Sequence, residues 1–277
     1  MNIPRYWTKV EADTNRPDGS PIQLTAWGWS TTDLADAKRN AEDRLSRMMA
    51  RVESGDPLPD KYPYGVRALR EEITREIPRG EGETAIVTRN SYGALVLNAP
   101  DVMFVDVDAA PPPAKGFLGG LFGKSSGGDD AWRAVAGKLT AATTSSFRIY
   151  GTAGGYRLMA TERTFTPGSS EAERIMQAVG ADPAYVQLCK AQKSFRARLT
   201  PKPWRANHFA PPGQFPRDAR QQAAFSEWLA KYQQKSAEFA VCSYLGEAGG
   251  GRVAASIEPV LKYHDDQTRV GSGLSLA

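Results

Sequence analysis

Apolar and polar residues alternate along Pro21–Ser30, where Ile22, Leu24 and Ala26 interleave with polar side chains up to Trp27-Gly28-Trp29. A period of two is that of a strand with one packed face, and Arg5–Glu11 reads the same way. From Leu34 the period changes. Leu34, Ala37, Ala41, Leu45, Met48 and Met49 recur at helical spacing opposite a charged face, which predicts a helix to about Val52. The Thr31-Thr32-Asp33 cluster supplies its N-cap.

Pro57 to Pro63 reads as a linker, and Val66–Ile77 satisfies both periods, leaving helix and strand open. Thr84–Thr88 and Ala94–Asn98 flank Asn90-Ser91-Tyr92-Gly93, which has the composition of a hairpin turn. Val102–Asp108 is the most strand-like piece. The segment 111–128 follows, with three prolines and six glycines, and is expected to be a flexible insertion. A helix from Asp129/Asp130 to about Ala142 precedes a second hairpin, Ser146–Tyr150 and Tyr156–Thr161, around Gly151-Thr-Ala-Gly-Gly155. Helices over Ser169–Val179, Pro183–Gln192 and Pro216–Phe239, a strand over Phe195–Leu199 and two closing strands, Val241–Leu245 and Ile257–Tyr263, complete the pattern. Residues 269–277 are expected to fray. Strands joined mainly by hairpins, with helices interspersed, predict an α+β fold: a mainly antiparallel sheet flanked by helices, as one domain over residues 1–277.

Composition changes this picture little. A chain of 277 residues with 41% hydrophobic content can bury about 70–75% of its unfolded surface without disulfide or metal. Cys189 and Cys242 fit no metal spacing and read as buried thiols of a reducing compartment. No apolar run reaches the roughly 18–20 residues of a membrane span, and residues 1–10 lack the apolar stretch of a secretory leader. A soluble, cytoplasmic protein without a membrane partner is the expectation. The oligomeric state stays open.

Charge changes it more. The net +4 is mild, but no carboxylate occurs between Asp182 and Asp218, a stretch holding Lys190, Lys193, Arg196, Arg198, Lys202, Arg205 and Arg217. A single-sign block on a surface that would otherwise mix signs points to an anion. Its densest part is Phe195-Arg-Ala-Arg-Leu-Thr-Pro-Lys-Pro-Trp-Arg205. Strand alternation there sends Arg196 and Arg198 to one face, and Pro201 and Pro203 stiffen the backbone presenting Lys202 and Arg205. Paired guanidinium groups suit bidentate recognition of phosphate or carboxylate.

Three further sites carry candidate chemistry. In Met103-Phe-Val-Asp-Val-Asp108 the alternation puts Asp106 and Asp108 on one face, about 7 Å apart, where they can converge on Mg²⁺ or Mn²⁺. The Gly151–Gly155 hairpin can set backbone N–H groups against a phosphate, with Arg157 adding charge. His264, beside Asp265 and Asp266, is a candidate general base, metal ligand or phosphate contact. Gly119–Ser125 looks like a P-loop but has Leu118 where that motif needs glycine, and lacks its flanking strand and helix. With two histidines and no GxSxG or HExxH, serine-hydrolase and zinc-protease readings have little to stand on.

The order of these residues is similar to the palm domain of the archaeo-eukaryotic primase superfamily. Phe104-Val-Asp106-Val-Asp108 resembles its acidic strand, Trp132–Ala142 its helix, Tyr150–Leu158 its glycine hairpin, and Phe195–Arg205 its basic segment. Arg157 stands where the family has a nucleotide-contacting His, and Asp265 or Asp266 would have to supply its third acid. The resemblance spans about residues 84–206. It implies a primase-like or RRM-like palm and metal-dependent nucleotidyl transfer on nucleotides or nucleic acid. Asp106 and Asp108 would then hold Mg²⁺ or Mn²⁺, with Arg157, Arg196, Arg198, Lys202 and Arg205 on phosphates and His264 assisting. The competing expectation is a non-catalytic protein that binds nucleic acid or an anionic partner through residues 190–205.

Overall fold

The computed structural model describes residues 1–57, 68–80, 82–108 and 127–277. Most of the expected 57–63 linker, the P-loop-like string and the 111–128 insertion up to residue 126 lie outside the described residues.

The first strands form as their alternation requires. β1 (Tyr6–Asn15) and β2 (Pro21–Ser30) pair antiparallel from Tyr6↔Ser30 to Asn15↔Pro21, longer than the sequence suggested for β1. Asp33 caps α1 (Leu34–Glu53) by accepting from the Asp36 N–H at 2.7 Å. Helix α1 buries Ala37, Ala41, Leu45 and Val52, and the last two pack on Leu24 and Ala26. Contact is closest at Gly28, where a Cβ would lie 2.1 Å from the Ala37 carbonyl oxygen. The glycine is what lets the helix backbone come down onto the strand.

The ambiguous segment resolves as β3 (Glu72–Arg79), followed by β4 (Gly82–Arg89), β5 (Leu95–Ala99) and β6 (Phe104–Asp108). Then come α2 (Gly127–Ala142), β7 (Phe147–Thr152), β8 (Gly155–Ala160), α3 (Ser170–Val179), α4 (Pro183–Gln192) and β9 (Phe195–Arg198). A 3₁₀ turn at Pro203–Ala206 leads to α5 (Ala219–Ser236), β10 (Phe239–Ala240), β11 (Cys242–Ala248), α6 (Glu258–Thr268) and β12 (Ser275–Leu276). Two four-stranded antiparallel sheets result, in the orders β3-β4-β5-β9 and β11-β7-β8-β6. The protein is α+β with largely antiparallel sheets, as expected. One buried cluster draws on both sheets and on α3 and α4: Val87 and Leu97, Phe104, Ile149 and Leu158, Ile175 and Val186. No helix among the described residues is long and apolar enough to cross a membrane.

Two expectations fail at the C-terminal end. Ile257–Tyr263, read as a strand, belongs to α6, which buries Val260, Leu261, His264 and Thr268. With Ile257 these sit at helical spacing, and a period of 3.6 wins over the β-branched composition that suggested a strand. The tail is also tied down. β12 pairs parallel with β10, the Ala277 N–H donates to the Ala240 carbonyl at 2.9 Å, and Ala277 is buried.

One hydroxyl joins the two sheets where the candidate site lies. From α4, Tyr185 Oη reaches the carbonyls of Phe104 in β6 at 2.8 Å and of Arg196 in β9 at 2.9 Å. Burial holds its proton affinity well above that of a free phenol, so it remains a donor.

Candidate functional site

β6 and β8 align Asp106 with Arg157, and strand pairing fixes the outcome. Arg157 Nε donates to Asp106 Oδ1 at 2.7 Å and Nη2 to Oδ2 at 3.0 Å, a bidentate pair. The guanidinium side is 1% exposed and the carboxylate side 44%. Arg157 Nη1 donates to the Arg198 carbonyl at 2.7 Å, which anchors β9 against β8. Burial works against the charge of Arg157, but Asp106, with Cys242 and Tyr185 adding to it, raises the guanidinium's proton affinity on balance. Arg157, expected on a phosphate, is therefore a buried strut with its donors turned inward.

Asp108 lies at the exposed end of β6 opposite Gly155, on the face it shares with Asp106, as the alternation predicted. Asp106, one of the two carboxylates expected on Mg²⁺ or Mn²⁺, is engaged by Arg157 in this arrangement. Both oxygens of Asp106 accept from Arg157, and the described residues contain no group of three His, Cys, Asp or Glu side chains that could hold a metal.

His264 is fully buried on α6 rather than poised at a strand end. Its Nδ1 lies 2.8 Å from Asp265 Oδ1, and its Nε2 lies 3.5 Å from Arg157 Nη1 and 3.9 Å from Cys242 Sγ. Nε2 faces a permanent donor, which favours the tautomer with the proton on Nδ1, given to Asp265. Burial lowers the ring's proton affinity. Asp265 Oδ2 also accepts from Arg148 Nη1 at 3.1 Å. The ring is thus held in a largely buried network whose outer members, Arg148 and Asp265, are partly exposed.

Arg196 is likewise an internal group. Its Nη2 meets both oxygens of Glu71 at 2.8 and 2.9 Å, and Nη1 meets Asn98 Oδ1 at 2.6 Å. Glu71 also accepts from the Thr88 hydroxyl, so the expected phosphate ligand is committed to the first sheet.

The other three cations remain as a cluster. Burial depresses the proton affinity of Arg198, and the charges of Arg157 and Arg205 depress it further. Lys202 is lowered by burial and then by Arg198 and Arg205, with Asp108 opposing. The Arg205 guanidinium passes 3.5 Å from where a Cβ on Gly154 would stand, so it lies along the glycine hairpin. None of the three has a carboxylate partner among the described residues, and Arg198 Nε is buried without a hydrogen-bond acceptor. Asp106 and Asp108 offset the mutual repulsion in part, and an anion placed among the three cations would offset it further.

Sequence reasoning missed the aromatic rim of this cluster. Trp204, which could have been a core residue, is 51% exposed, and Tyr92 at the tip of the β4–β5 turn is 48% exposed. Their rings meet edge to face at 5.3 Å, with Lys202 Nζ 5.5 Å from the Trp204 ring. Phe209 is 84% exposed. Aromatic residues inside an acid-free basic run were the available signal.

Concavities of about 420 and 320 Å³ lie elsewhere. The first is lined by Trp29, Thr31 and Asp36 among others, the second by Arg89, Tyr232 and Arg269. Arg198, Lys202 and Arg205 line neither, though Thr200 and Pro201, between the first two, line the second. Fold and site together define an α+β protein with a cluster of three cations, free of ion pairs among the described residues, beside buried ion pairs. No family model, curated protein or solved structure matches the chain.

Proposed function

We propose that the chain binds a phosphate-bearing ligand, a nucleotide or nucleic acid, on Arg198, Lys202 and Arg205 beside the glycine hairpin. The observation that carries this reading is the partly buried Arg198 guanidinium, its Nε without an acceptor, with the charges of Arg157 and Arg205 acting against it and Asp106 opposing them. Asp106, in this reading, serves by holding Arg157 beneath the cluster. The test is thermal shift with inorganic triphosphate. A ligand of the native state raises Tm by mass action, so the parent responds and Lys202→Ala/Arg205→Ala does not. An equal response in both sinks the reading.

Primase-like nucleotidyl transfer with Asp106 and Asp108 on Mg²⁺ or Mn²⁺ is the competing reading, favoured by Asp108 lying exposed near Lys202. It requires Asp106 to give up Arg157. It predicts that Mn²⁺ strengthens triphosphate binding and that Asp108→Asn abolishes the gain, whereas the cationic surface binds equally well in EDTA.

A further inference from the structure

We infer that the phosphate-bearing ligand is a single-stranded nucleic acid, with bases stacked on Tyr92, Trp204 and Phe209 while its backbone follows Lys202, Arg198 and Arg205. This rests on the phosphate reading above and adds the substrate class.

The aromatic positions are built, not incidental. Burying a large aromatic ring is strongly favourable, so three exposed rings in one corner of a folded chain mark a contact surface. Each sits on stiff backbone. Tyr92 rides a turn in which Asn90 Oδ1 accepts from the N–H groups of Tyr92 at 3.0 Å and Ala94 at 3.1 Å. Trp204 lies in the 3₁₀ turn begun by Pro203, which the His208 N–H closes by donating to the Pro203 carbonyl at 2.9 Å. Phe209 is held through its carbonyl, which accepts from Trp228 Nε1 at 2.9 Å.

Trp228 ties the corner together. Its ring packs so tightly on Gly93 that a Cβ there would be 2.2 Å away, and the positive φ of +85° also favours glycine. Beneath, Trp228 stacks on Tyr232 at 4.9 Å, on His208 at 5.3 Å and on Phe225 at 5.5 Å. The Tyr92 turn and the Phe209 loop thus flank one rigid aromatic column. Preorganised rings lose little entropy when a base stacks on them.

Cations supply the other half. Lys202 and Arg205 bracket Trp204 in sequence, and Asn98, Glu71 and Asp106 occupy Arg196 and Arg157 but leave Arg198 Nε without an acceptor. Exposed rings set beside cations match a polymer that alternates bases and phosphates. Duplex DNA hides its base faces, so the rings select unpaired bases.

The experiment is fluorescence anisotropy on the full chain. The probes are a labelled 15-nucleotide oligothymidylate, an abasic strand of equal length and charge, and the oligothymidylate annealed to its complement, with inorganic triphosphate as competitor. Tyr92→Ala, Trp204→Ala and Phe209→Ala should each weaken the single strand about tenfold, and Trp204→Phe should restore most of the loss. The abasic strand and the duplex should bind at least tenfold more weakly than the single strand, and triphosphate should displace all of them. If abasic and intact strands, or single strand and duplex, bind equally while triphosphate still competes, base stacking is overturned and the phosphate reading stands. If neither strand nor triphosphate binds, both fall.

Discussion

Each carboxylate oxygen of Asp106 accepts from a guanidinium that water does not reach. Asp106→Asn leaves Arg157 ionised without a counter-ion. A fully buried pair broken in this way costs about 3–5 kcal/mol, and the half-exposed carboxylate brings the expectation to about 2–3 kcal/mol. Asp108→Asn, on an exposed strand end, should change stability by less than about 0.5 kcal/mol. Urea unfolding of the two variants reads the difference directly, and equal losses would show that the pair is no anchor. His264 offers a pH test. Burial lowers its proton affinity from the ordinary 6.5, so the folded state keeps the ring neutral while the unfolded chain protonates. The unfolded state then binds more protons as pH falls below about 6.5, and stability must fall with it. Between pH 7 and 5.5 the parent should lose stability more steeply than His264→Gln, whatever their difference at pH 7.

Local elements were largely legible because their signals are local. The Leu34–Val52 period and the Asp33 cap gave α1 to within a residue, and the Asn90–Gly93 turn joined the strands it was expected to join. Ile257–Tyr263 misled because β-branched and aromatic composition was weighed above the 257, 260, 261, 264 spacing. Packing between elements left a subtler trace. Gly28 reads as an ordinary strand glycine, yet α1 rests on it. Gly28→Ala would drive a Cβ to 2.1 Å from the Ala37 oxygen and 2.3 Å from the Ala41 nitrogen, both backbone atoms that cannot rotate away. Overpacking of this kind costs about 1–3 kcal/mol. A lowered Tm with altered near-ultraviolet dichroism from Trp27 and Trp29 is the expected result, and an unchanged spectrum and Tm would contradict the close contact.

The molecule as a whole carries only +4, yet Arg198, Lys202 and Arg205 lie close enough to act on one another. Phosphate binding there releases counter-ions, about 0.7 log units of affinity per log unit of salt for each single-strand contact. Three cations predict a slope of about −2, falling to about −1.4 in Arg205→Ala. A flat salt response of oligonucleotide anisotropy would rule out a phosphate ligand.

The α+β character, the shared face of Asp106 and Asp108 and the acid-free basic run could all be read along the chain, because each depends on periodicity or composition within a few residues. The division of the five expected phosphate-binding cations could not. Arg157 and Arg196 belong to Asp106 and Glu71, while Arg198, Lys202 and Arg205 form no ion pair among the described residues, and the pairings span 51 and 125 residues of sequence. Which cation meets a carboxylate depends on strand register and on how two sheets close around Tyr185. Tyr92, Trp204 and Phe209 are likewise grouped by the packing of Trp228 against Gly93, between segments distant along the chain. Charge and ring chemistry were written locally; their sorting into interior struts and exposed surface followed from long-range contacts that the chain makes only once folded.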